Sequence, residues 1–379
     1  MAFDKKKGHM WPHVMSRWQW CVGTLLVACS MAVYMLVRSR ARPLLLVSSA
    51  LSEHADAQAR EARDRGTDFL LARQAADGHW EDFEVHGGAS NAWVTGAVGT
   101  LLPHSDDRPV LRSAIRKASS YLKRKRREGG WGYSDRFPED ADSTAWAVRC
   151  IARVDNLPTV DLTSYQRSCG GIATYASTDY GVWAEPHIDV TANVLLADCY
   201  FPGVIRFDRG RAIHFLVNRQ NADGSWDAQW WRSPYYSTAL CGEALIQTGQ
   251  GQQGLLAAIG FVLRRQRSDG GWGARESNAL DTALCVRLLI LSKEVLSTSQ
   301  DADGDPVEAG VRWLCRQQLP EGSFPPAMSC IMPPPFPVAG PATVLDIPDR
   351  RRVFSSCFAV AALDLWCAQG RRPESPGGS

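Results

Sequence analysis

The chain has 379 residues, 45% of them hydrophobic, and its 42 basic and 40 acidic side chains leave a formal net charge of +2. That length and apolar content support a substantial core in one large or two ordinary domains, and the near-neutral balance excludes a partner held by a strong global field, nucleic acid above all. Eleven cysteines, an odd number with no Cys-x-x-Cys, read as reduced core thiols, which favours a cytoplasmic domain over a disulfide framework.

The first element is compositionally apart. Residues 21–37 (CVGTLLVACSMAVYMLV) form an uncharged run of 17 residues between Arg17 and the trio Arg38, Arg40 and Arg42. This is the lower limit for a spanning helix, and bases on both sides leave its orientation open. Three readings stand: a short membrane anchor, a stretch upstream of the true start, or a signal peptide without a clear cleavage site. Residues 1–45 are set apart from the folded domain on this ground, and the localisation is cytoplasmic or membrane-associated through 21–37.

From residue 52 onward the chain repeats. Trp80, Trp131, Trp226 and Trp272, with Ile172 and Phe324 in the same role, recur at spacings of 51, 41, 54, 46 and 52 residues. Two positions before each stands Gly78, Gly129, Gly170, Gly224, Gly270 or Gly322. Six positions before stand Gln74, Gln166, Gln220, Gln266 and Gln318, with Lys125 as the exception. Such periods are the signature of a repeat architecture. Upstream of the glutamines, RGTDFLLARQ, GRAIHFLVNRQ, AAIGFVLRRQ and AGVRWLCRQQ place apolar residues at helical spacing. Asp-Gly or Glu-Gly ends the helix, and the tryptophan ring is expected to clamp that end.

Downstream of each repeat comes a second, more apolar helix: SNAWVTGAVGTLL, DSTAWAVRCIA, DVTANVLLADCY, YSTALCGEALIQ, DTALCVRLLIL and SSCFAVAALDLW. One amphipathic and one nearly apolar helix per unit imply an outer ring shielding an inner ring. Six hairpins then close into an all-α, α6/α6 barrel over 50–368, followed by a polar tail at 369–379.

One stretch within the repeats is unusual. GGWGYSDRFPEDADSTAW, residues 129–146, gathers Glu139, Asp140 and Asp142 at the start of the second apolar helix. Every inner helix needs a cap, and Ser90, Asp189, Ser237 and Asp281 fill that position elsewhere. Capping does not account for three carboxylates together, whose mutual repulsion has to be offset.

The repeats QNADGSW, QAADGHW and QRSDGGW resemble the Gln-Trp repeats of the squalene-hopene cyclase and oxidosqualene cyclase superfamily, over residues 52–366. The segment HIDVTANVL is similar to bacterial triterpene cyclases, and Asp140-Ala141-Asp142-Ser143-Thr144-Ala145 resembles their Asp-x-Asp-Asp-Thr-Ala acid motif. The resemblance implies that Asp142 is the general acid that protonates an alkene or epoxide, with Asp140 as its companion. Such chemistry needs a carboxyl held neutral in an apolar cavity. Ser143 departs from the family, which usually has a second aspartate there; its hydroxyl is expected to donate to Asp142. A second departure is the single barrel, since in triterpene cyclases the cavity lies between two. A shorter substrate, a second subunit or membrane covering the mouth, or the loss of cyclisation would each follow.

Rings near the inner-helix starts are candidates to line the cavity and stabilise a cation: Trp93, Trp146, Trp183, Trp231, Tyr235, Tyr236 and Phe358, with Trp230 and Phe354 nearby. Asp189, beside His187, is a further polar lining group. The basic run Lys123, Arg124, Lys125, Arg126 and Arg127 reads as a solvated helix end, with lipid or diphosphate binding as its alternative. Other chemistries fit poorly: Ser105-Asp106-Asp107-Arg108 lacks a third acid for magnesium, and no Asp-x-Cys pair or late histidine supports zinc. An α6/α6 sugar-processing enzyme working through Asp140 and Asp189 conflicts with the repeats. The expected function is proton-initiated cyclisation or isomerisation of an isoprenoid without metal or cofactor. The alternative is a non-catalytic barrel that binds a prenyl lipid or a protein, which a mouth plugged by the proline-rich segment 325–348 would favour.

Overall fold

The computed structural model describes residues 54–104, 108–293, 305–336 and 344–369; the run 21–37 and the tail beyond 369 lie outside them. The helices alternate between two rings. The inner ring is α2 (Ala92–Leu101), α4 (Ala141–Ala152), α5 (Ile188–Tyr200), α7 (Tyr235–Thr248), α9 (Ala279–Lys293) and α11 (Val353–Gln369). Each packs on the next, and α11 packs back on α2, so the ring closes. The outer ring is α1 (54–72), α3 (Pro109–Lys125), α6 (Arg209–Asn218), α8 (Gln252–Arg264) and α10 (Pro306–Gln317). Among the described residues no helix is long and apolar enough to cross a membrane.

The two rings differ as the sequence patterns require. All of α2 is buried, whereas α3 buries Leu111, Ala114, Ile115, Ala118, Ser119, Tyr121 and Leu122 on one face and turns its charged residues outward. The third unit departs from the six-hairpin expectation. Its outer helix is reduced to a 3-10 turn, Thr163–Tyr165, because Pro158 and the β-branched residues around it favour extended backbone. The unit compensates with a parallel two-residue pairing between Val160–Asp161 and Ile205–Arg206.

Repeat residues hold the rings together by identical bonds. The indole N–H of Trp80, Trp131, Trp226 and Trp272 donates to a carbonyl near the end of its own outer helix, at Leu70, Leu122, Leu216 and Val262, over 2.7–2.8 Å. The same residues' backbone N–H groups donate to a threonine hydroxyl one turn into the inner helix: Thr95, Thr144, Thr238 and Thr282. Ile172 and Phe324 keep that second bond, to Thr191 and Ser356. Isoleucine stands where there is no outer α-helix whose end an indole would satisfy.

The glutamine amides link neighbouring units. Nε2 of Gln74 donates to its own Gly78 carbonyl and to Ala114 in the next outer helix, both at 2.9 Å. Gln166, Gln220 and Gln266 repeat the pattern onto Asp208, Gly254 and Pro306. Gln318 donates to Ala62 in α1 at 2.7 Å, joining residues 256 positions apart. Only glycine fits between these partners. Gly224 has φ +95°, and a Cβ there would lie 2.2 Å from the Ala257 carbonyl oxygen. The second unit is the variant one: Gly130, not Gly129, takes the positive φ, and Lys125 pairs instead with Asp135.

Gly224→Ala is expected to destabilise the chain by roughly 2–5 kcal/mol, from backbone strain plus the clash with Ala257. Gly249→Ala, at φ +65° in open space, should cost only about 1–2 kcal/mol. Denaturant melts of the two variants check the difference, and equal losses would show that the close approach is unimportant.

Candidate active site

The short strand Trp131–Gly132 pairs with Glu139–Asp140, which delivers the chain to the start of α4 at a fixed register. Alternation along that strand separates the acids. Asp140 points inward and is buried, while Glu139 stays partly exposed beside Tyr165, whose hydroxyl donates to its carbonyl at 3.4 Å. Asp140 is the N-cap of α4: Oδ1 accepts from the Ser143 N–H and Oδ2 from the Ser143 hydroxyl, each at 2.7 Å. The Ser143 hydroxyl therefore serves Asp140 and not Asp142, contrary to expectation, because the capping geometry brings the third residue of the helix back onto its cap.

Asp142 occupies the first turn of α4 and faces the barrel axis. Its Oδ2 accepts from Trp93 Nε1 on α2 and its Oδ1 from Asn193 Nδ2 on α5, both at 2.8 Å. Three adjacent inner helices thus converge on one carboxyl. Burial raises its pKa, the Asp140 charge adds to the rise, and the Asn193 hydrogen bond opposes it, with Asp189 and Trp93 contributing less; the result is about 8. Asp140 is lifted to about 7, mainly by burial against the Ser143 hydrogen bonds. Asp142 is the more accessible of the two, and both line one cavity.

The cavity holds about 670 Å³ of space between atoms, its open mouth included. Asp140, Asp142, Ser143 and Asp189 line it together with Trp93, Trp183, Trp231 and Tyr236, all expected from the sequence. Phe354 packs beneath, stacked on Trp93 at 5.1 Å and on Trp231 at 5.5 Å, and Trp231 stacks on Tyr236 at 4.0 Å. Asp189 does not cap its helix: Oδ2 accepts from the Trp230 N–H at 3.1 Å, which pins the loop before α7, and burial lifts its pKa to about 6. His187 turns away from the cavity. Its ring joins the Thr174 hydroxyl and the Val182 carbonyl, each at 2.9 Å, and burial holds it neutral with a pKa near 4.

Three expected lining residues are elsewhere. Trp146 and Phe358 face a separate crevice shared with Arg149, Glu243 and Arg287, because they lie a full turn deeper along their helices. Tyr235 points outward onto Phe261 of α8, ring centres 5.8 Å apart, as a neighbour of the inward Tyr236 must. Nor do Ser90, Ser237 and Asp281 cap their helices. Asn91 caps α2, the Ser237 hydroxyl has no partner, and Asp281 accepts from Ser233 and Asn278.

The basic run is used locally. Lys123 pairs with Asp155, Arg124 and Arg127 donate to backbone carbonyls, and Arg126 lies over the Trp131 ring. The sequence reading missed Asn193, Tyr133, Phe137, Thr174 and Tyr175. Among the described residues of the proline-rich segment, Cys330, Ile331, Met332 and Ile347 form part of the cavity wall. Asn193 carried a signal, a polar residue one turn after Asp189 on an otherwise apolar helix face.

Comparison with known proteins agrees with the fold. The family model of the squalene-hopene cyclase C-terminal domain matches residues 176–337. A labda-7,13-dienyl diphosphate synthase from Streptomyces clavuligerus is 31% identical over 121 residues, which are 30% of this chain and 21% of that protein. The match thus spans about a fifth of the length of that curated relative. Among solved structures, a type II terpene cyclase from Scytonema in complex with geranylgeranyl dihydroxybenzoate superposes with a TM-score of 0.70 at 25% identity, covering 83% of this chain and 99% of that one. A protein from Actinoplanes superposes at 0.68 with 26% identity, over 82% and 99%. An ent-copalyl diphosphate synthase from Streptomyces platensis shares the fold at 0.51 and 21% identity, over 74% of this chain and 50% of its own. The chain is a class II terpene-cyclase-like protein, related to type II terpene cyclases.

Because folding raises the pKa of Asp142, the folded chain binds a proton that the unfolded chain has released between about pH 4 and 8. That stability is present at pH 4 and is lost as pH rises through 8. The Tm difference between Asp142→Asn and the wild type is therefore expected to move in favour of the variant across this window, as read by thermal melts at each pH. A pH-independent difference would mean that the carboxyl does not titrate there.

Proposed function

We propose that this chain is a class II terpene cyclase in which Asp142 donates a proton to an alkene carbon of an isoprenoid of diterpene size, starting cyclisation or isomerisation. The observation that carries the reading is a carboxyl held by two N–H donors and facing an aromatic-walled cavity. The proton leaves Asp142 for the less hindered alkene carbon and a carbocation forms on the other. The carboxylate left behind keeps two N–H donors, from Trp93 and Asn193, which stabilise the charge as it develops. The faces of Trp93, Trp231 and Tyr236 favour the migrating cation. Loss of a proton from the final cation restores an alkene, so the product is an isomer of the substrate and no redox partner is needed.

Asp140 is the companion whose charge raises the proton affinity of Asp142, and Ser143 fixes Asp140 in place. The ligand of the Scytonema relative, geranylgeranyl dihydroxybenzoate, carries a geranylgeranyl chain, which favours a substrate of diterpene size here. The non-catalytic alternative requires no buried acid beside an open cavity.

Full-length protein incubated with geranylgeranyl diphosphate, geranylgeranyl dihydroxybenzoate and the corresponding C15 compounds is expected to yield a cyclised or isomerised hydrocarbon skeleton by mass spectrometry. Asp142→Asn should lower kcat by about 10²-fold or more. The wild-type rate should fall as pH rises through about 8, where Asp142 loses its proton. Undiminished product from Asp142→Asn would place the acid elsewhere, and no product from any substrate would favour the binding protein.

Membrane delivery of the substrate belongs to the same reading. The segment that walls the cavity also exposes Met328, Phe336 and Leu345, at 60%, 54% and 44%, an apolar fringe suited to a lipid surface. Flotation with phosphatidylcholine vesicles should fall several-fold in the triple variant Met328→Ser, Phe336→Ser, Leu345→Ser. Unchanged flotation would assign any membrane affinity to another part of the chain.

A further inference from the structure

Behind the acid lies a buried arginine that the reaction does not touch. Arg149, two turns along α4 from Asp142, is 3% exposed. Its guanidinium lies 4.4 Å from the Trp146 ring centre and donates from Nη1 to Oδ1 of Asn193 at 3.0 Å. The opposite end of the same amide, Nδ2, donates to Asp142 Oδ1 at 2.8 Å and to the Asp142 carbonyl at 3.3 Å.

An asparagine amide has one accepting and one donating end, and the network around it decides which way it faces. Arginine has donors only, so the end of Asn193 that meets Arg149 has to be the carbonyl oxygen. The N–H end is then committed to Asp142. With Trp93 donating to the other oxygen, each carboxyl oxygen of Asp142 meets an N–H donor from these two side chains. Reversed, the amide would present a carbonyl oxygen to the acid, accept its proton and hold it.

We infer that Arg149 is a positioning residue for the acid: it occupies the carbonyl end of the Asn193 amide, turns the N–H end onto Asp142, and keeps an acceptor away from the acid's proton. This rests on Asp142 being the acid. Donors around a carboxyl stabilise its ionised form over its neutral form, so the arrangement keeps a buried acid strong enough to give its proton up. Burial and the neighbouring Asp140 push the other way. Arg149 thus offsets, through one amide, part of the weakening that an apolar site imposes on any acid.

The charged and titratable neighbours are known from each side. Asp140, Asp189 of α5, Tyr236 of α7 and Cys330 surround Asp142. Glu243 of α7, Arg287 of α9, and Tyr200 and Cys199 of α5 surround Arg149. Glu243 also accepts from Tyr200 at 2.7 Å and from Arg287 at 3.3 Å. Removing Arg149 together with the charge of Glu243, as Arg149→Met with Glu243→Gln, leaves the net charge unchanged. What remains is the loss of the amide's anchor.

The test is a 13C titration of aspartate carboxyls in the full chain without substrate, with Asp142 assigned from Asp142→Asn. The double variant is expected to raise the Asp142 midpoint by about one pH unit. In an Asn193→Leu background the same pair should leave it unmoved, since no amide is left to turn. With substrate, kcat at pH 6 should fall by about tenfold with KM nearly unchanged. An equal rise in both backgrounds would overturn the inference and assign the effect to the field or the packing; no rise in either would also overturn it.

Arg149→Lys, which keeps the charge and offers donors only, is the variant for a double mutant that does not fold. Its midpoint should stay at the wild-type value, and an upward move would sink the idea. The titration is independent of turnover. A shifted midpoint in a chain that makes no product removes the cyclase reading and keeps the positioning; an unmoved midpoint in a chain whose product depends on Asp142 does the reverse.

Discussion

Each repeat glutamine has one primary amide with two N–H groups, and both are spent on backbone carbonyls, one in its own turn and one in the next outer helix. That double donation sets the distance and angle between neighbouring units, because two carbonyls must lie within reach of a single nitrogen. Applied around the ring it leaves little freedom at the closing step, and Gln318 meets Ala62 across the join. The glycines follow from the same constraint, since the approach of the next helix leaves no room for a Cβ. What the stitching positions is the set of inner-helix starts at one end of the barrel. Asp142, Asp189 and Tyr236 belong to three different units, and their side chains share a cavity because those starts are held level.

The repeat was fully legible in the sequence because its chemistry is local and recurs. Glutamine, glycine and an aromatic ring at fixed offsets mean the same bonds each time, so four intact copies identify the two worn ones. The third unit shows the limit of that reasoning. Gln166 and Gly170 keep the repeat form and make the repeat bonds, yet the outer helix before them is only a 3-10 turn, because the bonds lie downstream of the helix and do not require it. The cavity was legible in part. An inner-helix start is visible, but which of two adjacent tyrosines faces inward depends on helical phase, and Tyr235 and Tyr236 differ by about 100° around their helix. Trp146 lies one turn beyond Asp142 and falls below the cavity floor for a related reason. The wall built from residues 330–347 was the least legible, since an irregular proline-rich segment carries no period from which a facing can be read.

The site also clarifies how one barrel encloses a cavity where relatives of the family place it between two. Connections, beside the inner-helix starts, build much of the wall. The loop at 172–187 supplies Thr174, Tyr175 and Trp183, residues 230–231 supply two tryptophans, and the proline-rich segment supplies Cys330, Ile331, Met332 and Ile347. These pieces brace one another by hydrogen bonds to backbone carbonyls: Trp183 Nε1 donates to Pro333 at 2.9 Å, the Val182 N–H to Pro335 at 2.8 Å, and the Arg232 N–H to Ser329 at 2.7 Å. A wall made of loops varies in sequence more freely than a helical one, so cavity shape can change while the repeat core stays as it is.

Ser143 illustrates how a departure from the family pattern is absorbed. A carboxylate at this position would stand beside Asp140 with no cation on either, and burial would force one of the pair to stay neutral. Serine instead gives Asp140 two donors from a single residue, its N–H and its hydroxyl, so Asp140 is satisfied without drawing on Asp142. The two acids then divide their functions. Asp140 is anchored as the helix cap and acts on its neighbour through charge alone, raising the proton affinity that an acid needs to be loaded at neutral pH. The Asp142 carboxyl receives its donors from Trp93 and Asn193 across the barrel, which favour release. Loading and release pull against each other on one carboxyl, with burial and Asp140 on one side and the donors from α2 and α5 on the other.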